Sequence, residues 1–200
     1  MAVDMYLVIP PVPGNPPISG DPVTDQYFKS AFPNAPAVEI RQFSVGAENI
    51  TSVGSATTGA GTGRATLKEL LIEKSVDTMS RSLFALNATG GHLAKMQLYL
   101  RRAGVAGGKP YLVYAFNMVF LSKIDWSAGS DDEEPIERLT FAYGALGIGY
   151  YPQKPDGTLG TAVKTSWSQL TNTEAPADIL GRILARTFSV DLVHSRSIDR

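Results

Sequence analysis

The apolar positions along the chain recur mostly at every second residue, which is the pattern of half-buried β-strands. A short run of branched apolar residues from Val3 to Ile9 predicts a first strand. Extended character returns from Val38 to Val45 and again from Thr66 to Lys74. Between these two segments the chain is rich in Gly, Ser, Thr and Ala, which favours a loop.

Two later strands differ in how much of each face should be buried. From Leu93 to Arg102 apolar side chains alternate with Lys95, Gln97 and Arg101, so we expect one face in the core and the other in solvent. The segment from Tyr111 to Leu121 is apolar on both faces. Such a strand belongs in the middle of a sheet, covered on both sides.

A long strand is predicted from Ile136 to Tyr151, and its side-chain parity changes within it. Apolar side chains hold odd positions before Gly144 and even positions after Ala145. A one-residue β-bulge near this point would produce the change. A tight turn at Pro155 to Gly157 then leads to a strand from Val163 to Gln169 that pairs back.

One segment has the helical period instead. Asp77 is placed to cap a helix by accepting hydrogen bonds from backbone N–H groups two and three residues on. Three apolar side chains then share one face at helical spacing: Met79, Leu83 and Leu86. Two consecutive glycines, Gly90 and Gly91, end the helix.

These elements predict a mainly β fold of about seven strands with one short flanking α-helix. Because most connections are turns, the sheet should be antiparallel and closed, or nearly closed, into a β-barrel. We assign residues 1–173 to this barrel domain and residues 174–200 to a C-terminal extension. In the extension, the spacing of the apolar residues Ile179, Leu180, Ile183 and Leu184 predicts a short amphipathic helix, which a tail follows.

The segment from Pro10 to Pro36 is different in kind, because it holds most of the prolines of the chain. Proline cannot donate to a strand ladder, so we interpret residues 10–37 as a long loop or insertion rather than as sheet. Tyr27, Phe28 and Phe32 should pin it to a surface. A PxxP-type peptide ligand is the alternative.

Composition narrows the class of protein. Hydrophobic residues make up 44% and charged residues 18%, which fits a folded globular protein. A net charge of −1 without a basic segment argues against nucleic acid as a partner. There are no cysteines, and no apolar run is long enough to insert into a membrane. The opening "MAVDMYLVIPP" has Asp4 where a signal peptide has a basic residue, so we expect synthesis in the cytoplasm without a cleavable signal.

The stretch "TTGAGTGRAT" suggests two functions, a phosphate cradle or a loop between strands. Gly59, Gly61 and Gly63 are followed by Arg64, but the Lys-Ser/Thr of a phosphate-binding loop is missing. A strand, and not the helix whose N-terminus would hold the phosphate, comes next. We therefore interpret the stretch as a loop.

Other candidates for chemistry are weak. The acidic run from Asp131 to Glu134 is contiguous, unlike a calcium loop, and predicts a solvated turn. His92 and His194 belong to no metal motif, although a Ser-His-Asp site assembled in space stays open. Trp126 and Trp167 could line a pocket but are more typical of packing. We expect no catalytic site, cofactor or metal, and strands apolar on both faces favour self-assembly.

The order of the segments resembles that of a known family. "EIRQFSVGAEN" precedes a Gly-rich loop and "LKELLIEKSVDTMSRSLFAL"; then come "GGHLAKMQLYLRRAG", "YLVYAFNMVFLSKIDWSAGS" and "RLTFAYGALGIGYYPQKPDGT". Over Met1 to Asn172 this series is similar to the Hcp family, the tail-tube proteins of bacterial type VI secretion systems. The resemblance implies a barrel with a helix on its flank, six copies in a ring, and rings stacked into a hollow tube.

The resemblance also implies partners and positions. A contractile sheath would push the tube out with a VgrG-type spike at its tip, and small effector proteins would ride in the lumen. Family members carry a lumen-facing Ser in an aromatic-Ser-aromatic-Gly stretch, which here corresponds to Ser44, although Val45 replaces the second aromatic. The Gly-rich loop, with Gly59, Gly61, Gly63 and Arg64, would lie where rings meet.

The chain departs from the family pattern at two segments, and two other functions are compatible with the sequence. The Pro-rich segment is longer than the usual connection, and residues 174–200 extend past the usual end; we expect the extension to pack on a ring surface through Ile179, Ile183 and Leu184. The rivals are a monomeric barrel that binds a small apolar ligand and a hydrolase that uses His92.

Overall fold

The computed structural model describes residues 3–20, 25–33, 35–52, 61–102, 108–130, 133–155, 158–175 and 179. Within them the strands are β1 (Val3–Val8), β2 (Ala37–Glu39), β3 (Gln42–Ser44), β4 (Ala47–Ser52), β5 (Gly61–Leu67), β6 (Leu70–Ser75), β7 (His92–Arg102), β8 (Leu112–Ser127), β9 (Ile136–Tyr150) and β10 (Val163–Ser168), and the helices are α1 (Gln26–Ala31) and α2 (Thr78–Ala88). The described strands outnumber the seven predicted because two predicted strands are each divided and part of the Gly-rich stretch pairs.

The main sheet is antiparallel and barrel-like, as predicted. Its order is β2-β1-β7-β8-β9-β6-β3, and β10 pairs with the end of β9 that β6 leaves free. The two edge strands, β2 and β3, are separated in the chain by only Ile40 and Arg41. Ile40 N–H donates to Met5 O at 2.9 Å, and Arg41 N–H donates to Glu73 O at 2.8 Å. One extended segment thus brings the two edges of the sheet together.

The barrel interior is filled by side chains. Phe116 and Tyr143 meet edge to face with their ring centroids 4.9 Å apart. Helix α2 covers the core with Met79, Leu83 and Leu86, all buried, as its period predicted. Its N-terminus is also as predicted. Asp77 accepts from the Met79 and Ser80 N–H groups, and the Ser80 hydroxyl accepts from Asp77 N–H in return.

Strand β7 corrects one prediction, because both of its faces are buried. Gln97 and Arg101, expected in solvent, are only 1% and 6% exposed. The Pro-rich segment covers them. It contains α1, which the sequence analysis missed, and Phe28 of α1 packs its ring 4.4 Å from that of Tyr6 and 5.6 Å from that of Tyr99. The prediction that the aromatic residues pin this segment is confirmed.

The parity change in β9 is present, but its cause is not the predicted bulge. Tyr143 and Leu146, which lie on either side of Gly144 at odd and even positions, both belong to the main core. Strands β8 and β9 nevertheless keep one register past this point. Their register shifts between Leu121 and Lys123 instead.

The same change occurs in the neighbouring strands. In β7, Leu93 and Met96 are both core residues, and in β8 so are Phe116 and Val119, which pair with them in register. Between the latter two, Met118 has a positive φ of 55°. The three neighbouring strands change parity at the same level of the sheet. Paired residues of adjacent strands therefore stay opposite each other, and the change needs no extra residue of the kind that a bulge inserts.

A second cluster of buried residues lies on the outer face of the sheet. Besides Tyr6, Tyr99 and Phe28, it includes Ala175 and Ile179. Ile179 is fully buried in this cluster against its own chain, and the expectation that the extension packs on a ring surface stays a prediction. The other residues of that prediction, Leu180, Ile183 and Leu184, lie outside the described residues, and the domain boundary at residue 173 stays a prediction.

Candidate assembly surfaces

Large apolar side chains are exposed on several parts of the barrel. Phe84 of α2 and Trp126 of β8 are each 51% exposed, and their rings lie 5.7 Å apart. Leu170, after β10, is 59% exposed. Further exposed apolar side chains are Val3, Leu71, Val76, Met118, Phe120, Tyr150 and Val163. A monomer that leaves many such side chains in water has surfaces suited to association.

Trp126 is held in place by a buried ionic network. Its indole N–H donates to Glu137 Oε1 at 2.8 Å. The other carboxylate oxygen of Glu137 accepts from Lys74 Nζ at 2.9 Å and from the Ser80 hydroxyl at 2.9 Å. Lys74 also pairs with the helix cap Asp77 at 2.8 Å. The network therefore joins β6, β8 and β9 to the start of α2, and no feature of the sequence pattern indicated it.

Ser44 ends β3 on the exposed face of the barrel wall. Its neighbour Phe43 points inward, with its ring 5.7 Å from that of Tyr114, so Ser44 points outward. Opposite it in β6 lies Leu71, itself exposed. Ser44 is accessible to a partner, and whether that surface lines a lumen stays a prediction.

The Gly-rich stretch is partly strand. Gly59 lies outside the described residues, whereas Gly61 and Gly63 belong to β5, which pairs with β4 as a separate two-stranded sheet. Arg64 Nη2 donates to the carbonyl oxygens of Gln169 and Leu170 in the same chain. This hydrogen bonding ties the two-stranded sheet to the end of β10. A role of these residues at a ring contact stays a prediction.

Gln169 joins three parts of the barrel and was missed by the sequence analysis. Its side-chain amide donates to Tyr143 O at 2.6 Å, and its side-chain oxygen accepts from Leu67 N–H at 3.2 Å. Its backbone N–H donates to Gly144 O at 3.1 Å. A single Gln in a polar stretch gives no sequence signal for this role.

The candidates for catalysis or metal binding are not brought together. The His92 ring is exposed and stacks on Phe120 at 5.4 Å, and His194 lies outside the described residues. In the described ranges no group of three or more His, Asp or Glu could hold a metal ion. Glu134 of the acidic run is exposed and pairs with Arg41 at 3.3 Å, whereas 131 and 132 fall in a gap of the described chain.

Tyrosine hydroxyls inside the barrel stay protonated. Burial raises the pKa of Tyr143 to about 12, and its hydroxyl donates to Lys68 O at 2.7 Å. This hydrogen bond fastens β9 to the short link between β5 and β6.

No helix in the described part of the chain has the length and apolar character needed to span a membrane.

A family model described as "Type VI secretion system effector, Hcp" matches residues 23–150, which is more than half of the chain. A search of curated protein sequences finds no match. Among solved structures, one titled as a type six secretion system protein is 26% identical, with a TM-score of 0.72 over 87% of this chain and 100% of that chain.

Two further structures support the fold. Hcp1 from Salmonella typhimurium is 20% identical, with a TM-score of 0.64 over 88% of this chain and 100% of its own. The Hcp1 protein from the E. coli EAEC 042 pathovar is 18% identical, with a TM-score of 0.60 over 84% of this chain and 99% of its own. The barrel with its flanking helix is thus the architecture of these proteins.

Proposed function

We propose that this chain, which belongs to the Hcp family of type VI secretion proteins, is a structural tube subunit whose copies form rings of six. The rings stack into a hollow tube that carries small effector proteins in its lumen. A contractile sheath pushes the tube out with a VgrG-type spike at its tip. The protein is made in the cytoplasm, leaves through the machine itself and performs no catalysis.

The observation that carries this proposal is the family match over residues 23–150, together with exposed apolar surface on a barrel whose interior is already full. Phe84, Trp126 and Leu170 are each more than half exposed, although the core offers other apolar side chains complete burial. Contact with further copies would remove this surface from water at about 25 cal/mol per Å² of apolar area.

A monomeric barrel that binds a small ligand is not favoured. The described interior is packed with side chains such as Phe116 and Phe141, both fully buried. A groove of about 700 Å³ lies outside the barrel, between the Pro-rich segment and α2, and is lined in part by Pro16, Ile18 and Arg81. The hydrolase is not favoured either, since the ring of His92 stacks on Phe120.

The first test is the native mass of the purified protein, with negative-stain images of the same sample. A sixfold mass and annular particles are expected. A monomer at every concentration would contradict the proposal, and stabilisation of that monomer by an apolar ligand would support the rival function.

The cargo role of Ser44 is tested by replacing it with a larger side chain. Ser44→Gln should leave the ring mass unchanged and lower the amount of co-purified effector, because the added atoms occupy accessible surface beside Leu71. Thr165→Gln, at an exposed position of β10, is the matched control. Equal loss of effector in both variants would remove Ser44 from the proposal.

Export is tested in cells. The protein should reach the culture medium when the sheath is intact and stay in the cells when the sheath is deleted. Release that does not depend on the sheath would contradict the proposed route.

A further inference from the structure

We propose that the groove between the Pro-rich segment and α2 binds an extended segment of a partner protein that carries both apolar and acidic side chains. The inference goes beyond the proposed tube subunit. It adds a docking site on the flank of the barrel that does not depend on ring formation.

This groove, which we call the outer groove, has two walls. One wall is the face of α2 and its C-cap that carries Arg81, Ala85 and Thr89. The other wall is the Pro-rich segment from Gly14 to Ile18. The volume between them, about 700 Å³, is within the range of about 300–1,000 Å³ that is typical of binding sites.

The wall formed by the Pro-rich segment is fixed to the rest of the protein. Asn15 Nδ2 donates to Lys95 O at 2.9 Å, and Asn15 Oδ1 accepts from Lys95 N–H at 3.0 Å. Further along, Ser19 N–H donates to Ser82 Oγ of α2 at 3.2 Å. Because these hydrogen bonds preform the groove, a partner would lose little free energy in ordering it.

The length and the lining of the outer groove suit an extended apolar chain. From Arg81 to Thr89 the wall of α2 runs for about 12 Å along the helix axis. An extended chain covers that distance with about four residues, at about 3.3 Å each. Apolar side chains line both walls: Pro16, Pro17, Ile18, Ala85 and Leu86.

The charge of the outer groove favours an acidic partner. Arg81 and His92 belong to its lining, which includes no Asp or Glu among the described residues. The hydroxyls of the lining are already engaged, since Ser82 accepts from Ser19 N–H and Thr89 Oγ1 donates to Ala85 O at 2.8 Å. Within the described part of the chain, no hydrogen bond or ion pair engages Arg81. Its guanidinium can therefore donate to a carboxylate of a partner.

Helix stability does not explain the position of Arg81. It is the fourth residue of α2, which begins at Thr78, and the helix dipole disfavours a cation in the first turn. A carboxylate bound in the outer groove would offset this unfavourable charge.

The chain itself offers no segment with the matching chemistry. Residues 180–200 contain four arginines and two aspartates, so this segment is basic. The acidic run from Asp131 to Glu134, which a second copy would present, contains no apolar side chain. The charges and the apolar lining together therefore favour a segment of another protein.

The test selects ligands from random sequence. A phage-displayed library of random heptapeptides is selected against the purified full chain, and enriched peptides are synthesised with a fluorescent label for anisotropy titrations. The enriched peptides should combine apolar residues with Asp or Glu. Their affinity should decrease as NaCl rises from about 0.1 M to about 1 M, because salt screens an exposed ion pair.

Two pairs of variants locate the site. Arg81→Glu should weaken binding about tenfold or more, because repulsion replaces attraction, whereas Lys29→Glu on α1 changes the net charge equally and should leave the affinity unchanged. Ala85→Phe should fill the groove and abolish binding. Ala88→Phe, on the exposed surface of the same helix but outside the lining of the groove, should have no effect. Circular dichroism verifies the fold of each variant.

A single introduced cysteine reports whether the outer groove is open, because the chain has none of its own. Ala85→Cys and Ala88→Cys should react with a thiol reagent at similar rates. A much slower reaction of Ala85→Cys would show that the C-terminal segment or a second copy covers the groove, and would overturn the inference.

Three other results would also overturn it. One is that no peptide is enriched over a parallel selection against Ala85→Phe. Another is that the enriched peptides are basic or uncharged. The third is that they bind Arg81→Glu or Ala85→Phe as tightly as the wild type. None of these results bears on the proposed ring, which native mass reports separately.

Discussion

Removing one member of the buried pair Lys74–Glu137 should destabilise the fold strongly. Both side chains have 0% exposure, and Lys74 Nζ lies 2.9 Å from Glu137 Oε2. Glu137→Leu leaves a buried ammonium group with Asp77 as its remaining carboxylate. Loss of one partner of a buried pair costs about 3–5 kcal/mol. We expect a decrease of that size in the free energy of unfolding.

A double variant tests whether the cost comes from the charge that is left without its partner. Lys74→Met/Glu137→Leu removes both charges and keeps apolar volume, so it should lose about 2 kcal/mol or less, because buried pairs are often replaced by apolar residues at little cost. The loss of unfolding free energy in the double variant should therefore be smaller than the sum of the losses in Lys74→Met and Glu137→Leu. We expect it to fall short of that sum by more than about 2 kcal/mol.

A surface pair in the same strand is the control. Arg138 follows Glu137 in β9 and pairs with Glu73 at 2.9 Å, but its side chain is 55% exposed. Arg138→Ala should cost at most about 1 kcal/mol. The measurement is urea unfolding followed by circular dichroism, at one protein concentration, because association would shift the midpoint. A loss in Glu137→Leu no larger than that in Arg138→Ala would refute the reasoning.

Phe28→Ala should lower the free energy of unfolding by about 3–5 kcal/mol and increase protease cleavage between residues 10 and 36, because this ring anchors α1; unchanged cleavage would contradict the anchor. Gly144→Ala would place a methyl group 2.8 Å from Leu170 Cδ1. We expect this crowding to lower the free energy of unfolding, measured by urea titration, by about 1 kcal/mol. Adding Leu170→Ala removes the crowded side chain and should restore that free energy. A loss that persists in the double variant argues against this contact. The raised pKa of Tyr143 contributes stability that is complete below pH 10 and lost as pH rises towards about 12, so the alkaline decrease in unfolding free energy should be smaller in Tyr143→Phe. Identical pH profiles would show that this hydroxyl does not titrate with unfolding.

Local features of the sequence predicted the elements that depend on local geometry. The cap of α2 requires only that Asp77 precede the helix by one residue, and its apolar face requires only the spacing of Met79, Leu83 and Leu86. Both are present in the structure. The central position of β8, between β7 and β9, also follows from a segment apolar on both faces.

The candidate assembly surfaces were predicted only in part. Ser44 is a candidate only because a family resemblance names its position, and its role stays a prediction; its outward orientation follows from the alternation around Phe43. Gln169 could not be assigned, because its three hydrogen bonds reach residues that are distant in sequence or belong to another strand. The role of Arg64 likewise depends on a contact 106 residues away.

The sequence by itself determined that the chain is mainly strand, the limits of α2 and the absence of cysteine chemistry, because these follow from neighbouring residues and composition. Only the tertiary structure decided which polar side chains are buried. Arg101 is buried because α1 brings Asp25 to 2.6 Å from its guanidinium, and Lys74 because β9 brings Glu137. A polar residue in an alternating strand is equally compatible with solvent and with a buried partner, and the partner comes from a distant part of the chain.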